Sequence, residues 1–100
     1  ESIRGGARLV RGPMLTKVEG WAAARGSDQP PDAILLFIDG RFVHATTTGR
    51  VPMFRRIAED EALRKSGFQI LLPWNATESG SDLRVYAVLE DVAAEIRLRR

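Results

Sequence analysis

The sequence predicts a mainly β domain, an antiparallel immunoglobulin-like or jelly-roll-like β-sandwich with one short helical insertion. Three observations predict it. Residues 83–90, LRVYAVLE, alternate Leu83, Val85, Ala87 and Leu89 with Arg84, Tyr86, Val88 and Glu90, the period of a strand with one face buried. Asp39-Gly40 stands between two β-rich runs, and glycine accepts the positive φ that a type I′ hairpin turn requires. The apolar runs are punctuated by Gly, Pro and Asn with no sustained β-then-helix alternation, so the connections read as hairpins and Greek-key crossings. One hundred residues support one core and not two.

Taken in order, residues 1–12 (ESIRGGARLVRG) combine Gly5, Gly6 and Gly12 with Arg4, Arg8 and Arg11, which reads as a linker or frayed edge running into a short edge strand. The domain proper is then expected over residues 13–100. The run MLTKVEGWAAA from Met14 reads as a strand with Trp21 in the core, and RGSDQPPD from Arg25 to Asp32 as an exposed loop. Ala33 to Ile38 is continuously apolar, as in a central strand covered on both faces, whereas Phe42 to Thr48 is mixed and β-branched.

Between Gly49 and Gly67 the pattern turns helical. Pro52 suits a first helical turn and Gly67 a left-handed position past a helix end. Met53, Phe54, Ile57, Ala58 and Ala62 fall on one stripe, but Leu63 lies about 180° from Phe54, so one regular helix buries it badly. The expectation is a helix over Pro52 to Asp60, a break or second short turn before Gly67, and Phe54 and Ile57 closing an edge or end of the sandwich.

The β pattern returns with Phe68, Ile70 and Leu72 on one face and stops at Pro73. NATESGSD is a polar loop before the strand from Leu83. A turn at Glu90-Asp91 then lets VAAEIRLRR return, with Val92, Ala94, Ile96 and Leu98 inward. Six or seven strands result, with a core that includes Trp21, Leu36, Ile38, Phe68, Ile70, Val85, Ala87 and Ile96.

Composition excludes several functions. Fifteen Lys and Arg against thirteen Asp and Glu leave a net charge of +2, a slight excess of bases and not the polybasic surface that nucleic acid requires. Without cysteine there is no disulfide framework and no thiolate nucleophile. No run of about 18 apolar residues occurs and the first residues lack a signal peptide's basic and apolar regions, so attachment to a membrane is expected only through other parts of a longer chain; a start without Met is expected of a piece excised from a longer protein or trimmed of a leader.

His44, the single histidine, reads as a surface strand residue beside Thr46 and Thr48. Glu59, Asp60 and Glu61 are contiguous, so they fan around a helix instead of converging as acid and base. Asp39 is expected to bond its own turn. No phosphate-binding glycine loop is present. Catalytic residues, metal ligands and cofactors are therefore assigned to none. The arginines near the two ends, Arg4, Arg8 and Arg11 with Arg97, Arg99 and Arg100, invite thought of anionic lipid but read as solubility and edge protection. Asn75-Ala76-Thr77 matches a glycosylation sequon, which matters only in a eukaryotic secretory setting.

Aromatic faces stack on pyranose rings, so Trp21, Trp74 and Tyr86 are the residues a sugar-binding reading uses, with mid-strand Trp21 reading as core instead. Trp74 follows Pro73 and opens the polar loop, where binding residues commonly sit.

Val18-Glu19-Gly20-Trp21-Ala22, then Ile38-Asp39-Gly40, Gly67-Phe68 and Leu83-Arg84-Val85-Tyr86-Ala87 together resemble a GWA-type β-sandwich module, over about residues 18–99. Such modules are appended to bacterial membrane-bound glycosyltransferases and other envelope proteins. Where that family carries Arg-Pro-Asp before the helical turn, this chain has Arg50-Val51-Pro52-Met53, with the Arg, a displaced Pro and no Asp. The resemblance implies a non-catalytic accessory domain of a larger envelope protein on the extracytoplasmic face of a bacterial membrane. Its implied partner is a glycan or another envelope protein, and the ligand-binding candidates are Trp74 and Tyr86 from the aromatic reading with Arg50 from the family motif. The alternative is a stand-alone protein–protein interaction module.

Overall fold

Alternating apolar residues are turned into two facing four-stranded sheets in a computed structural model that describes residues 3–27, 29–73 and 81–99. The first sheet contains β1 (Ile3–Arg11), β2 (Leu15–Ala24), β5 (Gly67–Pro73) and β8 (Leu98–Arg99), in the order β5-β2-β1-β8. The second contains β3 (Ala33–Ile38), β4 (Arg41–Thr46), β6 (Leu83–Leu89) and β7 (Val92–Ile96), in the order β4-β3-β6-β7. All neighbours are antiparallel except β1 and β8. The architecture is the sandwich that the sequence predicts, with eight strands among the described residues instead of six or seven.

Val18, Ala22, Phe68 and Ile70 of the first sheet meet Ile34, Leu36, Val85, Ala87 and Ile96 of the second in one buried cluster, against which Ile38 packs partly buried. Trp21 is the exception to the expected core: it is only half-buried and faces outward. The reason is parity. A Cβ on Gly20 would collide with the Gly6 carbonyl oxygen and stand 2.7 Å from Phe68 Cζ, so position 20 faces the core and position 21 the opposite side.

The start of the chain also departs from expectation. The stretch read as linker or frayed edge forms β1, paired with β2 from Ile3 to Arg11 and with β8 at Ala7 and Arg8, which makes it an interior strand. Gly5 serves close packing: a Cβ there would collide with the Trp21 carbonyl oxygen and lie 3.0 Å from Ile96 Cδ1.

β3 is central, but only Ile34 and Leu36 are buried while Leu35 and Phe37 are half-exposed, so one of its two faces is open. The helical insertion lies over the other sheet. It consists of α1 (Arg55–Ala58) and a 3₁₀ turn (Glu61–Leu63), shorter than the helix expected from Pro52 to Asp60 but broken as expected. Asp60 caps the second turn by accepting the Ala62 N–H at 3.0 Å, and the break places Leu63 in the interior at 2% exposure.

Phe54 and Ile57, expected at an edge or end, lie with an insertion that packs on the outer surface of β1 and β2. The Arg8 guanidinium is 5.3 Å from the Phe54 ring centre, and Gly67 receives Pro52 so closely that a Cβ there would lie 2.9 Å from Pro52 Cα.

Asp39 (φ 52°) and Gly40 (φ 81°) form the predicted hairpin turn, and Glu90 (φ 55°) turns β6 into β7. The return strand is split: Ile96 ends β7 in the second sheet, the Arg97 carbonyl accepts the Ala7 N–H at 3.0 Å, and Leu98 begins β8 in the first. Val92, expected inward, is 43% exposed at the turn end of β7.

Candidate functional site

The open face of the second sheet collects the outward residues of β3, β6 and β7. Register sets Leu35 opposite Tyr86 and Phe37 opposite both Phe42 and Arg84. Phe37 stands edge-to-face with Tyr86 (centres 5.5 Å apart) and with Phe42 (5.9 Å), geometry that the aromatic quadrupole favours. Leu35, Phe37, Tyr86 and Ala93 line a shallow hollow of about 420 Å³ whose rim carries Gly40, Asp82 and Arg84.

Arg84 organises that rim. Its Nε donates to Asp82 Oδ2 at 3.1 Å and its Nη1 to Glu95 Oε1 at 3.4 Å. The hydrogen bond and charge of Asp82, joined by the charge of Glu95, raise the guanidinium pKa above its ordinary value. An apolar aromatic floor beside a fixed guanidinium–carboxylate cluster can stack on a ring and hold its hydroxyls.

The outer face of the first sheet is different in character. Glu19 on β2 is 3% exposed, and its Oε1 accepts from Arg8 Nε at 2.8 Å and lies 2.7 Å from Arg8 Nη2. Lys17 Nζ stands 3.6 Å from Oε2. Lys17, Glu19 and Gln69 form the floor of a groove of about 320 Å³ walled by Arg50, Val51 and Met53. Arg50 is anchored by its backbone, exchanging hydrogen bonds of 3.0 and 2.8 Å with Gly67. Farther along this face Trp21 and Phe54 share a hollow with Arg97 and Arg99, and the Arg4 guanidinium lies 5.7 Å from the Trp21 ring centre.

The sequence candidates are thus separated. Tyr86 lines the hollow of the second sheet and Arg50 the groove of the first, while Trp74 and the sequon Asn75-Ala76-Thr77 lie outside the described residues. His44 is exposed on β4, and Glu59, Asp60 and Glu61 are exposed, with Glu59 paired to Arg55 at 3.6 Å. Asp39 differs from its expected local role: Oδ1 accepts the N–H of Asp82, 43 residues away, at 2.9 Å. Phe37, Phe42, Asp82 and Arg84 were missed as site residues. The alternation of β3 and β6 places Phe37 and Arg84 on one face, the β3–β4 register sets Phe42 beside Phe37, and Asp82 directly precedes β6, but sequence does not say that the face is open.

Among the described residues no three His, Cys, Asp or Glu side chains are grouped to hold a metal ion, and no helix is long and apolar enough to cross a membrane. No family model matches the chain, and neither a curated protein nor a solved structure matches it.

Proposed function

We propose that this chain is a non-catalytic accessory domain of a larger bacterial envelope protein and that it binds a glycan on the open face of its second sheet. The observation that carries the reading is the Phe37–Tyr86 aromatic floor beside the Asp82–Arg84–Glu95 cluster. The C–H faces of a pyranose stack on such a floor, and carboxylate and guanidinium groups exchange hydrogen bonds with its hydroxyls. Both carboxylates accept from the one arginine, so they support binding and not acid–base catalysis. The hollow is shallow and open, so affinity is modest. Envelope placement rests on the motif resemblance.

A second reading, a protein–protein interaction module, is favoured by the edge strand β4, where Phe42 is 58% and Val43 42% exposed.

Titration of neutral envelope oligosaccharides into the isotopically labelled chain tests the proposal. Amide shifts centred on Leu35, Phe37 and Tyr86 and abolished by Tyr86→Ala support it. Shifts centred on His44 and Thr46 overturn the assignment of the site, and the absence of shifts at millimolar sugar leaves the interaction module as the better account.

A further inference from the structure

We propose that the outer face of the first sheet docks on an anionic lipid bilayer. This goes beyond the glycan reading, which uses the opposite face of the sandwich.

The net charge of +2 conceals a separation. Asp32, Asp39, Asp82, Glu90, Asp91 and Glu95 all belong to the strands and turns of the second sheet, where Arg41 and Arg84 are the basic residues. On the first sheet's outer face, Glu19 is engaged by Arg8 and by Lys17, the insertion over that face sets Arg55, Arg56, Arg64 and Lys65 against Glu59, Asp60 and Glu61, and Arg50, Arg97 and Arg99 line the groove and the Trp21 hollow. Each basic residue near an anionic surface adds attraction, and opposite charge on the two sheets turns the acidic one away from it.

Charge alone describes any polyanion. The second observation selects lipid: exposed apolar side chains are interleaved with those cations. Leu71 (55% exposed) pairs with Lys17 across the ladder and Leu15 (51%) pairs with Pro73, while Val51 (57%) and Met53 (63%) wall the groove that Lys17 and Arg50 share. The even-numbered positions of β2 and β5 face the core, so these residues stand on the outside by register. A soluble polysaccharide or nucleic acid leaves such side chains in water, whereas a bilayer interface takes them into its acyl boundary and places phosphates beside the cations. Trp21, half-buried beside Arg97 and Arg99, has the amphipathic character of an interfacial residue.

The test is co-sedimentation of the full chain with phosphatidylcholine vesicles, with and without about one-third phosphatidylglycerol. Binding is expected to the anionic vesicles alone and to fall in about 0.5 M salt, where exposed charges are screened. Arg50→Glu, Arg97→Glu and Arg99→Glu change exposed side chains. Together they are expected to lower partitioning by at least about a hundredfold, since each base is worth roughly fivefold and each substitution also adds a repelled carboxylate. Thermal unfolding monitors their fold. Arg41→Glu on the second sheet is expected to leave partitioning unchanged. Equal binding to neutral vesicles, no binding to anionic ones, an unaffected triple variant or an Arg41 effect as large as that of one of the three overturns the proposal. So does capture by soluble heparin without capture by vesicles. Tyr86→Ala, which disables the proposed glycan site, is expected to leave vesicle binding intact.

Discussion

Asp39 accepts the backbone N–H of Asp82 at 2.9 Å, joining the turn after β3 to the entry of β6 across 43 residues of chain. The other end of the pair is fastened alike: Asp32 Oδ2 accepts the Glu90 N–H at 2.7 Å. Backbone bonds accompany both carboxylates, from Asp39 N to the Asp82 carbonyl and from Asp32 N to the Val88 carbonyl. The β3–β6 ladder, which carries the aromatic hollow, is therefore clamped at both ends.

Asp32→Ala is expected to cost about 1 kcal/mol, the net worth of an exposed hydrogen bond, and Asp39→Ala somewhat more, because φ 52° at that position suits Asp better than Ala. The sites are separated by the length of a six-residue strand, so the double variant is expected to show the sum within about 0.5 kcal/mol. Urea denaturation of the three variants measures this, and a double-variant loss no larger than a single one rules out independent clamps.

Gly20 and Gly40 are expected to resist substitution for different reasons. A Cβ at Gly20 meets the Gly6 carbonyl and the Phe68 ring in the core, so Gly20→Ala is expected to cost more than about 2 kcal/mol. Gly40 has nothing within 4 Å but sits at φ 81°, so Gly40→Ala is expected to cost about 1 kcal/mol through backbone strain alone. Denaturation midpoints check the order, and Gly40→Ala costing more than Gly20→Ala contradicts it.

Phe54 is half-buried on the outside of the first sheet and not within the sandwich. Phe54→Ala is expected to cost about 1–2 kcal/mol from partial burial, below the roughly 3–5 kcal/mol typical of a core phenylalanine. A measured loss above 3 kcal/mol places the ring in the core after all.

Around the buried Glu19 carboxylate the two bases are expected to count unequally. Arg8→Ala removes both close contacts to Oε1 and leaves a buried charge, an expected loss of about 2–3 kcal/mol. Lys17→Ala removes a contact at 3.6 Å and is expected to cost no more than about 1 kcal/mol. Equal losses in thermal unfolding show that the carboxylate does not distinguish them.

Much of the sandwich is legible because period-two alternation has one physical meaning when one face is buried. Phe68, Ile70, Val85, Ala87 and Ile96 all enter the core by that rule, and the stray angle of Leu63 foretells the break in the helix. Trp21 misleads because hydrophobicity and parity disagree there: small Gly20 holds the inward position that the Phe68 ring fills, so the large residue is left outside. Gly5 reads as linker because chain freedom and close approach of backbones call for the same residue. The candidate site is less legible: alternation turns Tyr86 outward, but Leu35 and Phe37 look like core until a second layer proves to lie on only one side of their sheet.

The parallel pairing of β1 with β8 sets how the domain answers mechanical load. Tension applied between the two ends of the chain draws β1 by its leading end and β8 by its trailing end, in opposite directions along strands that run side by side. The contacts from Ala7 to Leu98 and from Arg8 to Arg99 are then sheared together and not peeled one after another. They lie directly between the two loaded ends, so the two-residue strand β8 carries the shear first, backed by the nine-residue ladder that holds β1 to β2.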